Sequence, residues 1–160
     1  MVLALAMSCA AIVLAAGATV TVKSASNSTL AKKVVVNVQG HTLYTLTPET
    51  THHLLCTSKE CFKNWPPLTV PSRKTKLKAG AGVHGTLAIV KRANGTLQVT
   101  LRGLPLYRYA GDHGKDEANG QGIESFGGTW HAATASAGST KTTTPSPPAK
   151  TETEVEPYKY

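Results

Sequence analysis

The sequence predicts an all-β fold: a small antiparallel domain of two tandem repeats of β-hairpins, with a disordered C-terminal tail. Three observations lead there. Short runs rich in Val, Leu, Thr and Tyr alternate with glycine and proline turns between residues 34 and 134. The pattern also recurs. Val34-x-Val36-x-Val38-x-Gly40-x-x-Leu43-Tyr44-x-Leu46 aligns with Leu97-x-Val99-x-Leu101-x-Gly103-x-x-Leu106-Tyr107-x-Tyr109 at an offset of 63, and Trp65 and Trp130 follow at 65. Finally, Asn94-Gly95 lies between two strand-like runs, the strongest short-range hairpin signal.

Residues 1–22 carry no charge and read as a signal peptide or N-terminal anchor. Ala16-Gly17-Ala18 supplies the small-x-small pattern that precedes cleavage, placing the cut before Thr19. Lipidation at Cys9 and retention as an anchor are the alternatives, and each puts the domain outside the cytoplasm. Residues 23–33 are rich in Ser, Thr and Asn and read as a linker or a weak first strand.

Repeat one spans 34–79. Val34 to Val38 is β-branched, with Val34, Val36 and Val38 on one face, and Gly40-His41 turns the chain back into Leu43-Tyr44-Thr45-Leu46. Pro48 ends the ladder and opens a loop holding Cys56 and Cys61. In an exported domain these two cysteines are expected to form a disulfide; the short ring makes its entropic contribution about 2 kcal/mol. Trp65, before Pro66-Pro67, is assigned to the core. Lys74, Lys76 and Lys78 fall on one side of an extended segment, either as an aggregation-resistant edge or as a contact for an anionic envelope polymer.

Repeat two spans 86–134. A two-residue type I′ turn at Asn94-Gly95 sets Val90 opposite Val99 and Ala88 opposite Leu101, with Gln98 and Thr100 on the wet face. A turn at Gly103 leads to a strand bearing Tyr107 and Tyr109, then a glycine-rich loop and Trp130, the second core indole. Residues 135–160 are too poor in apolar side chains to fold alone.

The charge is uneven: Lys23 to Arg108 holds 13 Lys and Arg against Glu49 and Glu60, whereas Tyr109 to Thr134 is acidic. This suits contact with an anionic polymer or membrane surface, but carries no nucleic-acid signature. Catalytic motifs are missing too: there is no G-x-S-x-G elbow, H-E-x-x-H pair or P-loop.

Tyr107-Arg108-Tyr109-Ala110-Gly111-Asp112 resembles a family of bacterial secreted repeats and predicted lipoproteins defined by a Y-x-(F/W/Y)-x-x-D motif and without an assigned function. Asn119-Gly120-Gln121-Gly122 and Gly128-Thr129-Trp130 are similar to family members as well. The first copy is degenerate, with Leu46 at the aromatic position and Glu49 in place of Asp, yet Cys56…Cys61…Trp65-Pro66-Pro67-Leu68 resembles the family's first repeat. The resemblance implies an extracytoplasmic repeat domain and transfers no activity.

The motif residues Tyr44, Glu49, Tyr107, Tyr109 and Asp112 are assigned an architectural role, with Asp112 accepting hydrogen bonds from loop amides or a tyrosine hydroxyl. A second use remains open for part of the set. Asp112, Asp116, Glu117 and Asn119 could offer oxygen donors to a hard cation, and His52-His53 with reduced cysteines could hold a soft one. The expected function is therefore a non-enzymatic binding or structural module of the cell envelope, with no cofactor. A metal- or cofactor-carrying accessory protein in envelope redox chemistry is the alternative.

Overall fold

The computed structural model describes residues 19–136. Cys9, nearly all of the targeting segment and nearly all of the tail lie outside the described residues. Strands β1 (Thr19–Asn27) and β2 (Lys32–Val36) form an antiparallel hairpin. β3 (Tyr44–Thr47) leads into the cysteine loop, which carries a short helix, α1 (Lys59–Asn64). β4 (Thr69–Val70) and β5 (Lys76–Ala79) follow, β5 pairing parallel to β1. β6 (Leu87–Lys91) and β7 (Leu97–Leu101) form a second hairpin, followed by β8 (Leu104–Pro105), β9 (Glu124–Ser125) and β10 (Gly128–Ala132). The sheets run β2-β1-β5, β3-β10-β9 and β4-β7-β6, with β8 also on β7.

Of the two readings of residues 23–33, linker or first strand, the structure shows a strand over the first part and so corrects the linker. β1 covers 23–27 and β2 begins at Lys32; β1 itself starts at Thr19, inside the segment assigned to targeting, and its Val22 is fully buried. The reason lies in the architecture. β6 precedes β7 in the second half, and β1 is the matching strand that β2 requires in the first.

The two halves complete each other. Val35 donates its N–H to Ala133 O, Ala133 to Leu43 O, and Leu43 to Val35 O, at 2.7–2.8 Å. In the other half Val99 donates to Leu68 O, Leu68 to Leu106 O, and Leu106 to Val99 O, at 2.8–3.0 Å. Each central strand thus closes its ladder on the end of the other half. The exchange continues outward: Trp130 and His131 pair with Leu46 and Thr45, while Arg108 and Ala110 donate to Pro66 O and Asn64 O.

These bonds also correct the alignment. Val35 is the counterpart of Val99, an offset of 64, while Leu43 and Leu106 keep 63. Turn length supplies the missing residue. Asn37 and His41 bracket a three-residue loop ending at Gly40 (φ +94°), whereas Leu101 and Leu104 bracket only Arg102-Gly103, both at positive φ. Val38, expected on the strand's apolar face, therefore sits in the loop and is 51% exposed.

The same turn physics corrects the Asn94-Gly95 hairpin. Arg92 and Thr96 close a three-residue loop with Gly95 at φ +83°, the geometry of a type I turn followed by a left-handed residue. The register is therefore Ile89 opposite Val99 and Leu87 opposite Leu101. One residue of slip turns every side chain of the partner strand over. Gln98 and Thr100, expected to be wet, are fully buried. The type I′ turn occurs instead at Arg102-Gly103.

Both faces of the central strands are covered, which explains why Val34 through Asn37 are all buried. Val35, Leu43, Val99, Leu101, Leu106 and Ala133 form an aliphatic cluster with Val22 and Val70. Their sequence neighbours Val34, Val36, Tyr44, Leu46 and Tyr107 face the other way, into a cluster with Trp65 and Trp130. Cys56 and Cys61 are joined as a disulfide at its edge, and the Ser58 hydroxyl caps α1 by accepting from Cys61 N at 3.1 Å. This helix falls in a stretch expected to be loop.

Candidate functional site

The motif residues meet where the halves cross. Tyr44 and Tyr107 exchange both backbone hydrogen bonds, at 2.8 and 2.9 Å, so the strands touch at equivalent positions. Their side chains then reach across. The Tyr44 hydroxyl donates to Asp112 Oδ2 at 2.5 Å, and the Tyr107 hydroxyl lies 2.8 and 3.0 Å from the Glu49 carboxylate oxygens. Each tyrosine thereby bonds the acid that follows the other one.

The acids in turn pin the loops behind them. Asp112 Oδ1 accepts from Asn119 N at 2.9 Å, and Glu49 Oε1 accepts from Leu55 N and Cys56 N at 2.9 and 3.2 Å. Between the two pairs, Trp65 and Trp130 stack with centroids 3.8 Å apart and planes within 4°. Tyr44 meets Trp65 edge-on at 5.4 Å, as Tyr107 meets Trp130 at 5.0 Å. Tyr109 packs on Trp65 at 4.4 Å and closes one side.

Close approach here requires glycine. A Cβ on Gly120 would stand 2.7 Å from the Trp65 ring and 2.9 Å from Tyr44, and one on Gly128 would collide with the Thr47 carbonyl.

Sequence reasoning missed two members, Arg92 and Gln98. Arg92 is 3% exposed although it opens a turn; its guanidinium donates to Gln98 Oε1 and Cys56 O, and to the Tyr107 hydroxyl at 2.9 Å. It also lies 4.9 Å from the Phe62 ring centroid. Gln98 passes the network on, donating to Leu106 O at 2.8 Å. The available signal was Gln98 itself, a polar residue between Leu97 and Val99 on a strand whose two faces both turn out to be covered.

Burial governs the electrostatics. It raises the pKa of Tyr44, helped by Asp112, and that of Tyr107, helped by Glu49, so both phenols remain protonated donors. Burial also lifts the Glu49 carboxyl above the usual carboxylate range, against the pull of Tyr107, the Leu55 and Cys56 amides and Arg92.

The candidate metal donors Asp112, Asp116, Glu117 and Asn119 are committed to hydrogen bonds within the chain. Asp112 serves Tyr44 and Asn119, the carboxylate of Asp116 is taken by the amide and hydroxyl of Ser28, and Glu117 accepts from His113 N and Asn119 Nδ2. The Ser28 bonds hold Asp116 below the ordinary aspartate range. His52 and His53 are exposed beside cysteines already bonded to each other. Among the described residues no group of three His, Cys, Asp or Glu side chains is placed to hold a metal ion.

Chemically, the arrangement is a closed lock. Its acceptors meet donors within the chain, and Tyr44, Glu49, Trp65, Tyr107 and Trp130 are each at most 1% exposed. The comparison with curated proteins found no match, and neither did the comparison with solved structures. Residues 88–134, which supply β7, Tyr107, Asp112 and Trp130, match the family model Lipoprotein_15, described as a secreted repeat of unknown function.

Proposed function

We propose that the chain is a non-enzymatic, extracytoplasmic binding or structural module of the bacterial cell envelope, its first half a diverged copy of its second. The observation that carries this reading is the sealing of the motif. Tyrosines and carboxylates that bond one another across two halves hold the fold together, and none is left open to a substrate. The match to a secreted repeat and the disulfide, which persists in oxidising compartments, support the location.

In this reading the partner is an anionic polymer of the envelope, met by the lysine face. β5 is an edge strand, and Lys76 and Lys78 stand on the same face as their partners Thr19 and Thr21, with Lys23 next along β1. All three lysines and Lys74 are exposed. Such a face gains affinity by releasing the counterions of a polyanion, and loses it in salt.

Heparin serves as a soluble anionic polysaccharide probe. The full chain is expected to be retained on immobilised heparin and released by salt, and a Lys74→Gln/Lys76→Gln/Lys78→Gln variant to elute at clearly lower salt with an unchanged thermal midpoint. Elution together with the unmodified chain contradicts the lysine-face contact.

A further inference from the structure

The correspondence between the halves picks out one place where they differ without a structural need. A surface groove of about 440 Å³ has Asn37, Gln39, His41, Pro67, Leu68 and Arg108 in its lining. Under the hydrogen-bond correspondence, Asn37, His41, Leu68 and Arg108 match Leu101, Leu104, Ala133 and Thr45. Where the groove has an amide, an imidazole and a guanidinium, the equivalent place around the other turn has Leu101, Leu104 and Thr45, the arginine being lent to the groove by the second half.

The second half also closes its own version. Arg102, at the tip of the turn, folds back to donate to His84 O at 2.6 Å and to Thr134 O at 2.9 Å. Gly85 leaves room for its stem, since a Cβ there would run into Arg102. In the first half the corresponding turn carries Gln39, whose side chain has no such bond, and the groove stays open.

Its polar groups are set as donors. Asn37 is 7% exposed, and its Oδ1 is committed to the turn, accepting from Gln39 N and His41 N at 3.1 and 2.9 Å. That fixes the amide orientation and leaves Nδ2 without a partner at the groove wall. The Arg108 guanidinium has neither a hydrogen bond nor an ion pair. Pro67 and Leu68 add a short apolar wall.

We propose that this groove binds an acidic sugar residue. Arg108 holds the carboxylate, the Asn37 and Gln39 amides and His41 bond ring hydroxyls, and Pro67-Leu68 meets the C–H face of the ring. The volume lies within the roughly 300–1,000 Å³ usual for small-ligand sites. The site is separate from the lysine face and stands or falls independently of it.

The test is a titration of the full chain, followed by NMR, with D-glucuronate, D-glucose and inorganic phosphate. Glucuronate alone is expected to shift the resonances of Asn37, Gln39, His41 and Arg108. Arg108→Gln, whose exposed side chain has no partner to lose, is expected to weaken binding about tenfold or more, as removal of a charge-assisted hydrogen bond does. Lys76→Gln/Lys78→Gln should leave it unchanged. Shifts of equal size with phosphate would reduce the site to a simple anion patch and overturn the sugar assignment. No groove shift with any probe, or binding indifferent to Arg108→Gln, overturns the site altogether.

Discussion

Trp130→Ala destabilises the domain by about 3–5 kcal/mol, the cost of truncating a large buried aromatic, and Trp65→Ala costs about the same. Both indoles are at most 1% exposed and each forms half of a stack at 3.8 Å, so either truncation opens a cavity that the other half must line. Total stability for a domain of this kind is about 5–15 kcal/mol, which makes each loss a large fraction of it. Urea unfolding followed by far-UV circular dichroism measures the effect without relying on indole fluorescence. The double variant should cost less than the two losses added together, because the second truncation removes a stack that is already broken. Losses below about 1 kcal/mol would mean that the stack is peripheral, since substitutions away from such packing usually change stability within about 0.5 kcal/mol.

Glu49→Ala is expected to cost about 3–5 kcal/mol, because it leaves three buried or part-buried donors without an acceptor, at roughly 1–3 kcal/mol each. The stranded donors are the Tyr107 hydroxyl and the amides of Leu55 and Cys56, and Arg92 is linked to Glu49 only through that hydroxyl. Arg92→Ala strands Gln98 Oε1 and the Cys56 carbonyl instead, and because the two residues share the Tyr107 hydroxyl the pair removed together should cost less than the sum. The pH dependence has a definite sign. The Glu49 carboxyl is raised on folding, so the folded state holds this proton more tightly than the unfolded chain does. Its contribution is fully present below the ordinary glutamate pKa and is lost as pH rises through the higher folded value. Glu49→Gln keeps an acceptor for the two amides and should lack that decline. The difference between its unfolding midpoints and those of the unmodified chain isolates the effect. Parallel pH profiles would show that Glu49 does not titrate between the two values.

How much of this was legible in the sequence depended on whether a residue's role was local. The strands around Val35 and Val99, the core position of both tryptophans and the cysteine pairing follow from composition and spacing. The hairpin register did not, because Asn94-Gly95 suits a two-residue turn but sits in a three-residue one, and nothing in the strand counts the residues between Arg92 and Thr96. The repeat alignment failed by one residue for the same reason: it assumed equal turns at Gly40 and Gly103. β1 could have been found by carrying the offset back from β6, although Lys23-Ser24-Ala25-Ser26-Asn27 shares no pattern with Leu87-Ala88-Ile89-Val90-Lys91. The site was half visible. Tyr44, Glu49, Tyr107 and Asp112 declared themselves by recurrence, but the crossing of their bonds is a property of tertiary structure. Arg92 had no signal of its own, since an arginine at a turn is ordinarily solvated.

The two halves are one cooperative unit because each ends its ladder on the other. Native-state hydrogen exchange on the full chain tests this most directly, reading the amides of Val35, Leu43, Tyr44 and Ala133 against those of Val99, Leu106, Tyr107 and Leu68. The interlocked fold predicts that both sets open with the same free energy, equal to that of global unfolding. Protection lost in one set while the other stays closed would show two independent modules lying side by side, and would contradict the account.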